Sequence, residues 1–138
     1  MVTIIDELIK AIKTNVFSLP IKDVRKPYTV KSPTYPMITV REMTNTPIIQ
    51  LQGEEKLSQL AYRFEIYSRD LSHEGKVYTA EQVNSTLLRE IDEFLRKTYG
   101  FRRVGDIANL PHSGDSSIMR CAITYVGKID NNTMIIYQ

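Results

Sequence analysis

Apolar residues recur at three- and four-residue steps in one long stretch, residues 79–101, and at two-residue steps in another, residues 60–70. The first spacing puts Val83, Leu87, Leu88, Ile91, Phe94 and Leu95 on one face of a helix. Its ends are written in the chain. Thr79 followed by Gln82 is a capping box, and Tyr78 with Val83 has the spacing of a hydrophobic staple. Gly100 fits the left-handed residue past the end, with Phe101 able to fold back on Leu95. Asp92–Arg96 and Glu93–Lys97 are acid-first i,i+4 pairs, with the positive charge where the helix dipole favours it. About twenty residues at ~1.5 Å each make a rod of roughly 30 Å, which needs a sheet or a second helix to cover its face.

The two-residue spacing predicts a strand over 60–70. Leu60, Tyr62, Phe64 and Ile66 fall on one side, and Ala61, Arg63, Glu65, Tyr67 and Arg69 on the other. So clean an alternation places one face on a core and leaves the other for water or a partner.

The remaining elements follow in order. Residues 3–16 predict a first helix, with Ile5, Leu8, Ile9, Ile12 and Val16 as its buried stripe. Pro20, Pro27, Pro33 and Pro36 mark an irregular stretch without helix. Residues 37–43 alternate as a strand, 44–47 read as a break, 47–52 as a short strand or extended arm, and 53–56 as a charged loop. Residues 71–77 are a connection, and 106–117 (DIANLPHSGDSS) read as a polar loop. Residues 117–128 and 133–138 predict two last strands joined by a turn at 130–132. The segments 44–56 and 106–117 lack apolar periodicity and are expected to be mobile loops, ordered only on assembly. The expected fold is a single α+β domain over 1–138, a mainly antiparallel sheet covered by two helices.

At 138 residues, 42% hydrophobic and 25% charged, the chain is an ordinary globular domain with room for a core. Eighteen basic against sixteen acidic side chains leave +2, which does not announce a nucleic-acid binder. No apolar run approaches the roughly 20 residues that span a bilayer, and no stretch resembles a signal peptide, so no membrane association is expected. The single cysteine, Cys121, cannot form an internal disulfide and reads as a small buried apolar residue.

Chemistry-bearing constellations are sparse. His73 and His112 lie apart in polar connections, and His112-Ser113-Gly114-Asp115 has the adjacency of a loop rather than the convergence of a catalytic triad. One cysteine and two distant histidines do not make a zinc site, and neither a Walker loop nor GxGxxG occurs. Carboxylates keep one enzymatic alternative open: Glu65 and Asp70, near Lys56 or Lys76, have the residue types of a small metal-dependent nuclease. Their spacing is not specific, and charges on a solvated strand face explain them as well. Lys22, Arg25 and Lys26, and then Arg102 and Arg103, are the basic clusters; the second pair could neutralise helix-end carbonyls or meet an acidic partner or phosphate.

The order of elements and several stretches carry a resemblance. An opening amphipathic helix, a YPMITV strand, a YRFEIYSRD strand, a capped helix ending in YGFRRVG and the final strands IMRCAITYVG and TMIIYQ resemble the tail terminator (tail-completion) proteins of long-tailed bacteriophages. The resemblance covers nearly the whole chain. It implies a small α+β structural protein of the virion, made in the host cytoplasm, that closes into a homohexameric ring at the head-proximal end of the tail. There it stops addition of the major tail tube protein and receives the head-completion protein, with DNA passing only through its lumen. It implies no catalysis, metal or cofactor. Another head–tail connector or tail component of similar build is the nearer alternative, and the nuclease or a stand-alone nucleic-acid-binding domain the more distant ones.

The resemblance brings no site residues with it. Exposure and charge select the candidates for subunit or partner contact: Arg63, Glu65, Tyr67 and Arg69 along the outward strand face, Asp70 at its end, and Arg102 and Arg103 past the helix.

Overall fold

A computed structural model describes residues 4–27, 33–51, 54–112, 115–130 and 135–137. Helix α1 (Ile4–Thr14) leads into a short strand β1 (Asp23–Arg25), and two long strands follow, β2 (Met37–Leu51) and β3 (Glu54–Ser68). A small hairpin, β4 (Leu71–His73) and β5 (Lys76–Tyr78), precedes helix α2 (Ala80–Tyr99). The chain ends with β6 (Arg102–His112), β7 (Asp115–Asp130) and β8 (Ile135–Tyr137). The main sheet has the order β1-β2-β3-β7-β6, with β8 paired to β7. Among the described residues, β1 and β2 pair in parallel and the other pairings are antiparallel. The α+β class expected from the sequence is the one found.

Helix α2 forms as its capping residues dictate. The Thr79 hydroxyl accepts from the Gln82 amide at 3.2 Å, and the Gln82 side chain accepts from the Thr79 amide at 3.0 Å. Gly100 takes φ 68°, a left-handed conformation that disfavours a Cβ, and Phe101 donates back to the Leu95 carbonyl. Both i,i+4 ion pairs are made. The face so oriented buries Val83, Leu87, Ile91 and Leu95 against β3 and β7.

The sheet meets the helices with alternate residues. Leu60, Tyr62, Phe64 and Ile66 of β3 are all fully buried, beside Ile38 and Val40 of β2 and Cys121, Ile123 and Tyr125 of β7. Full burial of each large apolar side chain contributes about 1.5–3 kcal/mol. α1 packs on β1 and β2 through Leu8 and Ile12, so both helices cover the same face. Two aromatic contacts close the core, Tyr62 stacked on Phe101 and Phe64 edge-on to Tyr125.

Three expectations are corrected. Val16 is 91% exposed, because α1 ends at Thr14 and the helical phase ends with it; Phe17 instead packs edge-on against Phe94. The segment 71–77 is largely a strand pair rather than an irregular connection. The segments 44–56 and 106–117, expected as loops, belong mostly to strands of two long hairpins; residues 52–53 and 113–114 lie outside the described residues. The register shifts within Glu42/Thr44, Pro47/Ile49 and Ile49/Gln50, and again within Val104/Ala108 and Pro111/His112. Each shift breaks the period-two alternation from which a strand is read, while main-chain pairing continues on either side. Pro47 and Pro111 both sit on strands with an outer edge, where proline is tolerated.

The register also sets where the hairpins project. Leu51 faces Glu54 at the end of the sheet where Leu57 meets Asp130, whereas His112 faces Asp115 beyond the pairing of Ser68 with Met119. The two hairpin ends therefore point to opposite ends of the sheet. Among the described residues, no helix is long and apolar enough to cross a membrane.

Candidate functional site

Because both helices lie on one side, the other side of the sheet is a broad polar face. Strand pleating sends Thr39 and Arg41 of β2, Arg63, Glu65 and Tyr67 of β3, and Arg120, Ala122 and Thr124 of β7 to it. The register sets Arg41 opposite Arg63, Thr39 opposite Glu65, and Tyr67 opposite Arg120. These side chains surround a recess of about 280 Å³, walled on one side by Pro27.

Glu65 is the organising group of this recess. Arg63 Nε donates to its Oε1 at 3.0 Å, and the Tyr67 hydroxyl donates to its Oε2. All three lie on one face of one strand, two residues apart, so the strand itself holds them in order. Burial pushes the Tyr67 hydroxyl up to about 12, helped by its bond to Glu65 and opposed by Arg120. Tyr67 is thus a fixed donor at neutral pH. Three guanidinium groups, Arg41, Arg63 and Arg120, face one carboxylate, so the recess is net positive. Arg120 Nε is shut off from solvent and makes no hydrogen bond among the described residues.

The other candidates are dispersed. Arg69 lies past the end of β3, with its guanidinium 5.1 Å from the centre of the Tyr35 ring. Asp70 caps α2: its Oδ1 accepts from the Ala80 amide at 2.8 Å. Both line a different recess, about 510 Å³, at the helix N-terminus, which is already satisfied by this carboxylate and by Thr79. Arg102 and Arg103 are exposed on β6. Pairing with Val126 puts Arg102 on the open face, whereas pairing with Tyr125 turns Arg103 to the helix side. The expected contact set therefore splits: Arg63, Glu65 and Tyr67 converge, Arg102 shares their face outside the recess, and Arg69, Asp70 and Arg103 stand apart.

The nuclease alternative needs Glu65 and Asp70 together, but they line separate recesses and each already accepts hydrogen bonds from the protein. No group of three or more His, Cys, Asp or Glu able to hold a metal occurs among the described residues. His73 lies 3.7 Å from the Glu74 carboxylate. The His112–Asp115 segment falls partly outside the described residues. Burial pushes the Cys121 thiol up to about 11, which leaves it a poor nucleophile.

Arg41 and Arg120 are the residues that sequence reasoning missed. Their outward direction was readable, since Thr39 and Arg41 alternate with Ile38 and Val40, and Arg120 with Cys121. Their convergence on Glu65 was not, because it requires the order β2-β3-β7. Compared with known proteins, the chain matches no family model and no curated protein sequence.

Proposed function

We propose that this protein is a structural subunit of a long-tailed phage, a tail terminator that closes as a homohexameric ring on the head-proximal end of the tail tube. It has no catalytic role, metal or cofactor in this reading. In the virion it stops addition of the tail tube protein and presents its far side to the head-completion protein.

One structural observation supports an assembling subunit above others: among the described residues both helices pack on one side of the sheet, and the other side carries a charged recess. A catalytic domain concentrates converging acid, base or nucleophile groups in such a place. Here the converging groups are guanidinium groups, a tyrosine and a carboxylate bonded to each other, the composition of an orientation-setting contact. The two hairpins projecting to opposite ends suit a ring whose two ends meet different proteins. The tail assignment itself rests on the sequence resemblance.

Complementation tests the reading. Supplied to a phage defective in tail completion, the protein should restore tails of uniform length that join heads. The purified chain should form a hexamer, alone or on tube ends, by analytical ultracentrifugation and electron microscopy. Tails of uncontrolled length, together with a chain that stays monomeric beside tube ends, would refute it.

A further inference from the structure

On the helix side of the sheet, the chain leaving α1 meets α2 around a different recess, of about 290 Å³. Val16 and Phe17 line one wall, and Glu90, Glu93, Phe94 and Lys97 the other. A lone exposed valine is ordinary on a protein surface. Val16, however, borders the edge-on ring pair of Phe17 and Phe94 and a carboxylate short of donors. The Ser18 amide donates to Glu90 Oε1 at 3.0 Å, while Oε2 is shut off from solvent without a hydrogen bond among the described residues. Such an acceptor carries a desolvation cost that a donor would offset. Glu93 is paired with Lys97, so Glu90 leaves the recess net negative. The opposite edge of the helix side is basic. The strand order runs from β1, beneath α1, to β6, where Arg103 pairs with Tyr125 and turns to the helices. Asp92, the acid that reaches Tyr125, is already engaged by that hydroxyl and by Arg96, and Arg103 is exposed.

We propose that the recess beside Val16 is a contact between copies of this chain, filled by Arg103 from the β6 edge of a neighbouring copy. That such contacts close a ring on a tail rests on the reading above; the contact itself does not. Size suits one side chain, since about 290 Å³ lies just below the range of drug-sized ligand pockets. Chemistry suits an arginine. Its apolar stem covers Val16 and the two phenylalanine rings while its charged head stays among the carboxylates. The guanidinium fork offers several donors at once, so it meets Glu90 and shares Glu93 with Lys97. A small rotation of the Glu90 carboxylate presents Oε2 to it. Charge complementarity names the partner as a second copy, because the chain carries the matching arginine on its own opposite edge. The two patches are unlike, so the contact is heterologous. It repeats from copy to copy, as a ring requires, and does not close on itself as a two-fold pair.

The test follows the full chain by sedimentation velocity at low and physiological salt, with variants at exposed positions. The parent should associate beyond a dimer, more strongly at low salt. Glu93→Arg alone and Arg103→Glu alone should each weaken association about tenfold or more, because every contact then sets like charges together. Mixed one to one, the two variants should associate again, with the exchanged pair at one contact and the native pair at the next. Arg102→Glu makes the same charge change on the other face of β6 and should leave association unchanged. Val16 is fully open to substitution without cost to the core, so Val16→Lys is a second probe of the recess and should weaken association likewise. Circular dichroism checks that each variant is folded. A parent that stays monomeric or stops at a dimer overturns the proposal. So does association that survives the single variants, or that mixing fails to restore. Tail length in the complementation assay is a separate readout. A chain that shows the rescue by mixing but does not complete tails fails the tail reading alone. One that completes tails, and still does so with either charge reversal, fails the recess assignment alone.

Discussion

The hydroxyl of Tyr125, at the middle of the sheet, donates a 2.7 Å hydrogen bond to Asp92 on α2, whose other oxygen accepts from Arg96. This contact joins the long helix to β7 by a polar bond at the margin of the apolar core. Tyr125 is fully buried, so its hydroxyl would otherwise be stranded in the core margin. Tyr125→Phe should lower stability by about 1.5–3 kcal/mol, the usual worth of a bond to a charged group. Urea unfolding should show a lower midpoint with an unchanged slope; an unchanged midpoint would mean the bond contributes nothing.

Alkaline pH should unfold the protein early. Tyr62 and Tyr125 are raised well above the ordinary tyrosine value of 10.0, chiefly by burial and further by Glu42 and Asp92 respectively, and Tyr67 is raised to about 12. In the unfolded chain these hydroxyls lose their protons near pH 10, whereas the native state keeps them. The unfolded state then binds fewer protons, so stability is full below about pH 10 and falls as pH rises through it. Midpoints measured from pH 8 to about 11.5 should decline above pH 10, less steeply in Tyr125→Phe than in the parent. A flat profile would contradict the burial of these hydroxyls.

Leu87 sits at the centre of the buried face of α2, with no exposure. Leu87→Ala removes its contacts and leaves a cavity, at a cost of about 2–5 kcal/mol. A loss of only a few tenths, by chemical denaturation, would mean that the site collapses around the change.

Both ends of α2 carry single residues whose effects are separable. Thr79→Ala removes the bond to the Gln82 amide, and Asp70→Ala the bond to the Ala80 amide; each should cost about 0.5–2 kcal/mol. Gly100→Ala forces a Cβ into a left-handed conformation, at about 1–2 kcal/mol. Thermal melts of the three variants, compared with Ser85→Ala on the exposed helix side as a control, measure these differences.

Purified protein should neither cleave nucleic acid nor hydrolyse nucleotides in magnesium or manganese. Glu65 and Asp70 lie in separate recesses and are engaged by the protein's own donors. Cleavage that disappears in Glu65→Ala or Asp70→Ala would restore the nuclease alternative and displace the structural one.

The sequence by itself determined the parts whose causes are local. Capping residues, helical spacing and the Gly100 stop specify α2 within one turn of chain at each end, and strict alternation specifies the inward face of β3. Burial of Cys121 was legible for the same reason, from its neighbours in the strand. The outer halves of the hairpins were not legible, because bulges interrupt the side-chain period while main-chain bonds to a distant strand hold the backbone extended. Val16 was misplaced because nothing in the apolar pattern marks where α1 stops. The candidate site divided along the same line. Arg63, Glu65 and Tyr67 share one strand, and period two alone brings them to one face. Arg41 and Arg120 join them only through β2 and β7, 22 residues before and 57 after Arg63 in the numbering. Pairing between strands so far apart is decided by how the whole sheet buries its apolar side against α1 and α2, and no local segment carries that information.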